Sequence, residues 1–241
     1  MNDRVIDMTD KAIDLNDRAV DLTDREINMA AAESGRTGIK ICGLSRPCDI
    51  EYVNEAMPDY AGFILHFPRS RRNIDPLKAR ELIRELRPGI KAVGVFVDQP
   101  LDTICDTART AGLHIIQLHG SEDNDFIREA REKTGLPVWK AFRVRTAEDI
   151  RTAAECAADM ILLDNGYGTG EAFDWSIVTG GQAVLRRAFI LAGGLTPDTI
   201  LDAVRAMQPL AVDLSSGVET DKLKDRDKII AAVKAARCCD H

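Results

Sequence analysis

The sequence lacks the features that membrane-spanning and nucleic-acid-binding proteins need. No apolar run approaches the ~20 residues of a transmembrane helix. The formal net charge is -7, and lysine and arginine are not gathered into a dense tract. Nucleic acids and anionic membranes attract concentrated positive charge, so neither is an expected partner. A small acidic substrate is compatible with this composition, because it needs only a local basic site.

Cysteines with the regular spacing of metal sites or disulfide frameworks are missing as well. None of the six cysteines stands in a C-x-x-C pair and the four histidines are scattered, so the sequence offers little basis for a metal site. Cysteines without paired spacing are typical of free thiols in a reducing compartment. We therefore expect a cytoplasmic protein with no metal and no secretory signal. The six are Cys42, Cys48, Cys105, Cys156, Cys238 and Cys239.

The first thirty residues contain a tandem heptad. The repeat begins at Asp3, Asp10, Asp17 and Asp24, and its apolar positions step by three and four residues. That spacing predicts one apolar stripe on a helix, suited to self-association or to a partner. The alternative is a charged, solvated segment, because aspartate is a poor helix-interior residue and isolated helices are marginally stable. We therefore divide the chain into an extension, disordered or helical, at residues 1–37 and a main domain at 38–241.

From Ile39 onward, eight short apolar runs alternate with longer amphipathic segments. Helix candidates open at the capping residues Asp75, Thr146 and Thr196. Eight strand–helix units predict an α/β fold, a single closed (β/α)8 barrel of the TIM type. An open doubly wound sheet competes, but the even spacing favours closure and no glycine-rich dinucleotide loop follows the first run. The runs are KICGL, YAGFILHF, KAVGVFV, HIIQLHG, PVWKAFRV, DMILLDN, AFILAGG and LAVDLSSG.

The last two runs end in small residues that suit a phosphate. Gly193 and Gly194 close the seventh run, and Ser215, Ser216 and Gly217 close the eighth. Glycines let backbone N–H groups approach an anion closely, and serine hydroxyls add donors. Barrels of this class often bind phosphate after strands seven and eight. Each motif alone is also typical of an ordinary tight turn, but their joint position favours a phosphate site.

Three side chains at strand ends are candidates for acid–base chemistry. Asp164 and Asp213 each follow an apolar run, where partial desolvation suits a carboxyl group to donating a proton. Both could instead be capping or loop aspartates. Cys42 ends the first run, and Lys40 shares its face of the strand and favours the thiolate. Most cysteines in such runs are core residues, so position is the argument for reactivity.

Arginine, glutamine and histidine stand at two further strand ends. Arg72 follows the second run and offers a guanidinium that holds a carboxylate through two hydrogen bonds, although Arg69 and Arg71 compete for that role. Gln117 and His119 share one face of the fourth run. For His119, a structural hydrogen bond at the rim and a substrate contact are equally compatible with the sequence.

Taken together, these motifs resemble the phosphoribosylanthranilate isomerase family, from Ile39 to about Ala236. The resemblance implies an eightfold barrel, no cofactor, no nucleic-acid or membrane partner, and an Amadori rearrangement in tryptophan biosynthesis. N-(5-phosphoribosyl)anthranilate would become 1-(2-carboxyphenylamino)-1-deoxyribulose 5-phosphate. The motifs are KICGL, GFILHFPRSRRNI, GVFVD, QLHG, ILLDN, GTGEAFDW, LAGGLTPDTI and VDLSSGVE.

The same resemblance implies a role for each candidate residue. Cys42 would be the general base, Asp164 the general acid, and Arg72 the contact of the anthranilate carboxylate. Two departures from the family pattern are Tyr167 in the loop after strand six and the heptad extension. The remaining substrate contacts would be Gln117, His119 and Asp213, and the phosphate contacts Gly193, Gly194, Ser215, Ser216 and Gly217.

Two other functions are weighed against this one. A histidine-pathway isomerase runs an analogous rearrangement with two aspartates, but Cys42 and the unduplicated phosphate motif argue against it. A non-catalytic phosphosugar-binding scaffold would not need Cys42, Asp164 and Arg72 together. The sequence leaves open whether the protein is a monomer or a homodimer.

Overall fold

A computed structural model of the chain describes residues 36–164, 185 and 187–238. Eight barrel strands lie in this part of the chain, one in each of the eight apolar runs. Residues 1–35 of the predicted extension lie outside the described residues, and so does Tyr167. The strands are β1 (Gly38–Cys42), β2 (Tyr60–Leu65), β3 (Lys91–Phe96), β4 (Ile115–Leu118), β5 (Val138–Arg143), β6 (Met160–Asp164), β7 (Phe189–Leu191) and β8 (Ala211–Leu214).

Seven α-helices are present among the described residues, and none of them is long and apolar enough to cross a bilayer. A two-residue strand, Asn73–Ile74, follows β2 and pairs with it. After β8 come a 3₁₀ turn, Ser216–Val218, and a short antiparallel hairpin. The helices are α1 (Pro47–Ala56), α2 (Pro76–Arg84), α3 (Leu101–Ala111), α4 (Asn124–Thr134), α5 (Ala147–Ala154), α6 (Ile200–Met207) and α7 (Arg226–Arg237).

The first strand closes the sheet. β1 pairs in parallel with β2, with Lys40 opposite Tyr60, and also with β8, with Ile39 opposite Val212. The other six pairings join consecutive strands from β2 round to β8, and all are parallel. The predicted (β/α)8 barrel is therefore confirmed, and the open doubly wound sheet is excluded.

Alternation along the strands divides the buried apolar residues into two cores. The inner core fills the barrel, and in it the rings of Tyr60 and Trp139 meet edge to face with centroids 4.9 Å apart. The outer core lies between the strands and the helices, where Ile41, Phe63 and Leu118 are fully buried. Because successive strand residues face opposite sides of the sheet, each strand contributes to both cores. The last inward-facing residue of a strand then lies at the barrel mouth.

Two of the three predicted helix starts are confirmed. The side chain of Asp75 accepts hydrogen bonds from two N–H groups of the first turn of α2, and the Thr146 hydroxyl caps α5. The prediction at Thr196 was wrong, because α6 begins at Ile200. The Thr196 N–H donates to the Thr199 hydroxyl (3.0 Å) and the Thr199 N–H donates back to Thr196 (3.0 Å). This closed turn places a separate loop before the helix.

Candidate active site

One cavity opens at the carboxyl ends of the strands, with a volume of about 810 Å³. All eleven residues predicted for the site line it, although they come from six different strands and loops. Their convergence follows from barrel closure, which no single stretch of sequence encodes. They are Cys42, Arg72, Gln117, His119, Asp164, Gly193, Gly194, Asp213, Ser215, Ser216 and Gly217.

The two-residue period of the strands explains why these side chains point inward. On β8, Ala211 belongs to the inner core, so Asp213 and Ser215 face the same interior farther along the chain. On β4, Ile115 belongs to the inner core and Gln117 follows it toward the mouth. A shift of one residue would turn each of these polar groups toward the helices.

Cys42 lines the cavity beside a largely buried ion pair. The ammonium of Lys40 contacts both carboxylate oxygens of Asp213 at 3.1 Å, and the Lys40 side chain has no exposed surface. Burial raises the pKa of the Cys42 thiol; Lys40 works in the opposite direction, and Asp213 adds to the rise. The pair therefore places a cation close to the sulfur while Asp213 balances its charge.

Gly62 on β2 makes room for that cluster, which leads to a testable prediction. A Cβ at position 62 would lie 2.9 Å from the sulfur of Cys42 and 3.0 Å from the Lys40 ammonium. We expect Gly62→Ala to lower kcat by about 10- to 10²-fold, because small displacements of reacting groups have effects of this size. Steady-state kinetics check it, with Gly38→Ala as the control. The closest contact of that Cβ is 3.1 Å, to Ala211 on β8, which lies outside the cavity lining. Equal losses in the two variants would contradict the prediction.

Asp164 ends β6, three strands away from Cys42 around the barrel. Its Oδ2 lies 3.7 Å from Nε2 of His119 at the end of β4. Partial desolvation at the barrel mouth lowers the pKa of His119, and the nearby carboxylate of Asp164 acts in the opposite direction. His119 is therefore neutral at pH 7 and lies beside Asp164 at a distance too long for a hydrogen bond.

The loops after β7 and β8 touch each other at the predicted phosphate site. Gly193 and Gly194 have φ values of 93° and 66°, which favour glycine. A Cβ at Gly217 would fall 1.8 Å from the backbone oxygen of Leu195, so only glycine allows this approach of the loops. The Ser215 hydroxyl donates to the Cys42 carbonyl oxygen at 3.1 Å, which joins the β8 loop to the end of β1.

Among the described residues that line the cavity, cations outnumber carboxylates, although the chain as a whole is acidic. Arg71 and Arg72 both line it, whereas Arg69 is exposed and lies outside the lining. Sequence reasoning missed two further cations of the lining, Arg143 and Lys222. Against these four cations stand the carboxyl groups of Asp164 and Asp213 among the described lining residues. This excess of positive charge suits a ligand that carries more than one negative charge.

Sequence reasoning also missed Glu219 and Lys224, which lie behind the cavity wall. The Glu219 carboxylate binds Arg72 and Lys224, and the Lys224 ammonium donates to the Ser215 carbonyl oxygen at 2.7 Å. Glu219 ends the motif VDLSSGVE, but nothing in that motif marks it as a partner of Arg72, and Lys224 lies in none of the motifs. Across the described ranges, no group of three or more His, Cys, Asp and Glu side chains is arranged to hold a metal ion.

The chain is similar in sequence to a family of known enzymes. A family model described as N-(5′-phosphoribosyl)anthranilate (PRA) isomerase matches residues 39–235. The N-(5′-phosphoribosyl)anthranilate isomerase of Acetivibrio thermocellus is 40% identical over 215 residues, covering 85% of this chain and 97% of the relative. That of Endomicrobium trichonymphae is 42% identical over 204 residues, covering 83% and 98%.

Solved structures agree with the sequence relatives. The phosphoribosyl anthranilate isomerase of Thermotoga maritima superposes with a TM-score of 0.76 at 36% identity, covering 84% of this chain and 99% of that one. Another phosphoribosyl anthranilate isomerase structure is in complex with reduced 1-(o-carboxyphenylamino)-1-deoxyribulose 5-phosphate. It superposes with a TM-score of 0.74 at 35% identity, covering 84% of this chain and 99% of that one. A further Thermotoga maritima structure is of monomers generated from the dimeric isomerase.

Proposed function

Because the chain belongs to the N-(5′-phosphoribosyl)anthranilate isomerase family, we propose that Cys42 and Asp164 perform the acid–base steps of its reaction. The reaction is the Amadori rearrangement of N-(5′-phosphoribosyl)anthranilate in tryptophan biosynthesis. The observation that supports the two roles is the shared cavity, in which the thiol and the carboxyl group stand beside two glycine-containing loops. The acid has to be protonated and the base deprotonated at the same time, so a bell-shaped pH–rate curve is expected.

Asp164 begins the reaction by protonating the ribose ring oxygen, and the ring opens to an iminium ion. That cation acidifies the neighbouring C2 hydrogen, which the Cys42 thiolate removes to give an enolamine. Tautomerisation then yields the ketone. Lys40 favours the thiolate through its charge, and the neutral imidazole of His119 lies 3.7 Å from the carboxyl group of Asp164.

The two ends of the substrate require separate anion sites. We assign the phosphate to the loops after β7 and β8, with backbone N–H groups of Gly193, Gly194 and Gly217 and the Ser216 hydroxyl as donors. Ser215 contributes by ordering this loop, because its hydroxyl donates a hydrogen bond to the backbone carbonyl oxygen of Cys42.

At the other end of the substrate, Arg72 receives the anthranilate carboxylate. Gln117 and Asp213, which line the same cavity, are assigned to the sugar portion between the two anion sites.

The groups assigned above all belong to one chain. We therefore propose a monomer or a homodimer with one independent site per chain, distinguishable by analytical ultracentrifugation. The proposed base has to remain a free thiol, which favours a reducing compartment such as the cytoplasm.

The direct test is turnover of fluorescent phosphoribosylanthranilate by the purified full-length chain. We expect the fluorescence to decay at a rate proportional to enzyme concentration, without added cofactor. The histidine-pathway aminoaldose, offered in parallel, tests the competing isomerase function. Decay of the histidine-pathway substrate alone would contradict the proposed roles.

A further inference from the structure

Glu219 lies just after the phosphate loop and binds three cations. Its side chain is 5% exposed. Its carboxylate accepts hydrogen bonds from Nε and Nη2 of Arg72 at 2.6 and 2.8 Å, from Lys224 at 3.0 Å, and from Nη2 of Arg71. Burial acts to raise the pKa of Glu219, but the hydrogen bonds and charges of Arg72 and Lys224 lower it to about 2. Glu219 is therefore an anion at neutral pH.

The two hydrogen bonds to Glu219 leave one edge of the Arg72 guanidinium without a hydrogen bond to the described residues. A guanidinium carries five N–H donors, and Glu219 takes the edge formed by Nε and Nη2. Nη1 has no hydrogen bond to any described residue, and Arg72 lines the cavity. A second carboxylate has access to the edge formed by Nη1 and Nη2 while Glu219 stays bound.

Two neighbours fix the direction of that open edge. A Cβ at Gly43 would lie 2.3 Å from Cδ of Arg72, so the arginine side chain packs across the backbone just after Cys42. Glu219 holds the opposite end of the same side chain. Arg72 is thus held from both ends, and little conformational entropy is left to lose when a ligand binds.

Through Lys224, the same carboxylate also reaches the phosphate loop. The Lys224 ammonium lies 3.0 Å from Glu219 and donates to the Ser215 carbonyl oxygen at 2.7 Å. Arg72 and the loop after β8 therefore share one buried anion, although they are far apart in sequence. This connection fixes the spacing between the two anion sites that the substrate has to bridge.

We propose that Glu219 is the positioning residue that aims Arg72 at the aromatic carboxylate of the substrate and sets its distance from the phosphate loop. The inference rests on the proposed role of Arg72. Glu219 touches neither the reacting atoms nor the substrate. It acts through the guanidinium it orients, so its loss weakens binding far more than it slows the chemical steps.

The test is a double-mutant cycle on the full chain with fluorescent phosphoribosylanthranilate. Glu219→Gln keeps the shape but removes the charge, and we expect KM to rise about tenfold with kcat changed by less than about threefold. Arg72→Gln alone is expected to raise KM at least as much. In the Arg72→Gln background, Glu219→Gln is expected to add little, because the group it positions is gone.

A matched charge change away from the cavity serves as the control. Glu55→Gln removes a half-exposed carboxylate that pairs with Arg226, and its KM is expected to equal that of the wild type. If Glu219→Gln does not fold, Glu219→Asp replaces it. Its carboxylate, one methylene shorter, is also expected to raise KM with little change in kcat.

The outcomes distinguish the positioning role of Glu219 from the proposed role of Arg72. An unchanged KM in the folded Glu219 variant, or a Glu219 effect that persists undiminished without Arg72, would overturn the positioning role alone. A wild-type KM in Arg72→Gln would instead overturn the assignment of the carboxylate site, and the positioning role with it.

Discussion

Cys42→Ala is expected to lower kcat by ~10²–10⁴-fold, the usual loss when a general base is removed. KM should change little, because Cys42 ends β1 and the proposed anion sites lie in other loops. Stopped-flow or steady-state fluorescence with the purified variant measures both constants. Cys105→Ala, on α3 outside the cavity lining, is the control and should match the wild type. Normal turnover by the Cys42 variant would show that the thiol is not the base.

The same thiol predicts the pH dependence of the wild type. Burial raises the pKa of Cys42 above its ordinary value, and only the thiolate removes a proton. One limb of the pH profile of kcat/KM should therefore lie in the alkaline range and report Cys42 in the free enzyme. Lys40→Met removes a cation that lowers this pKa, so the limb should move to higher pH. If the limb does not move, Lys40 does not influence the pKa of the base.

Asp164→Asn is the second change with a large expected effect. The amide has nearly the shape of the carboxyl group but offers no acidic proton, so ring opening should slow by ~10²–10⁴-fold in kcat. His119, 3.7 Å away and neutral at pH 7, is not expected to replace it, because its lowered pKa makes the imidazolium scarce. Single-turnover fluorescence measures the step directly.

The control for this change is Asp102→Asn on the exposed surface of α3, which should leave kcat unaltered. Thermal unfolding of both variants separates loss of chemistry from loss of fold. A kcat of the Asp164 variant within a few-fold of the wild type would move the acid role to another group of the cavity.

Much of the fold could be predicted because its signals are local. Strand periodicity and capping chemistry depend on neighbours a few residues away, which is why all eight runs proved to contain strands and why Asp75 and Thr146 cap their helices. At Thr196 the local signal failed, since a turn closed by Thr199 competed for the same groups. The barrel's rule that strands carry function at their carboxyl ends then placed Cys42 and Asp164 in one cavity.

By itself, the sequence determined the order of strands and helices, the inward parity of Lys40 and Cys42, and the residue types at the barrel mouth. Only the tertiary structure decided which charges meet. Lys40 pairs with Asp213 and Arg72 with Glu219 across separations of 173 and 147 residues. Such pairs form only when the barrel closes and water is excluded from the side chains. Neither condition can be read from a short stretch of sequence.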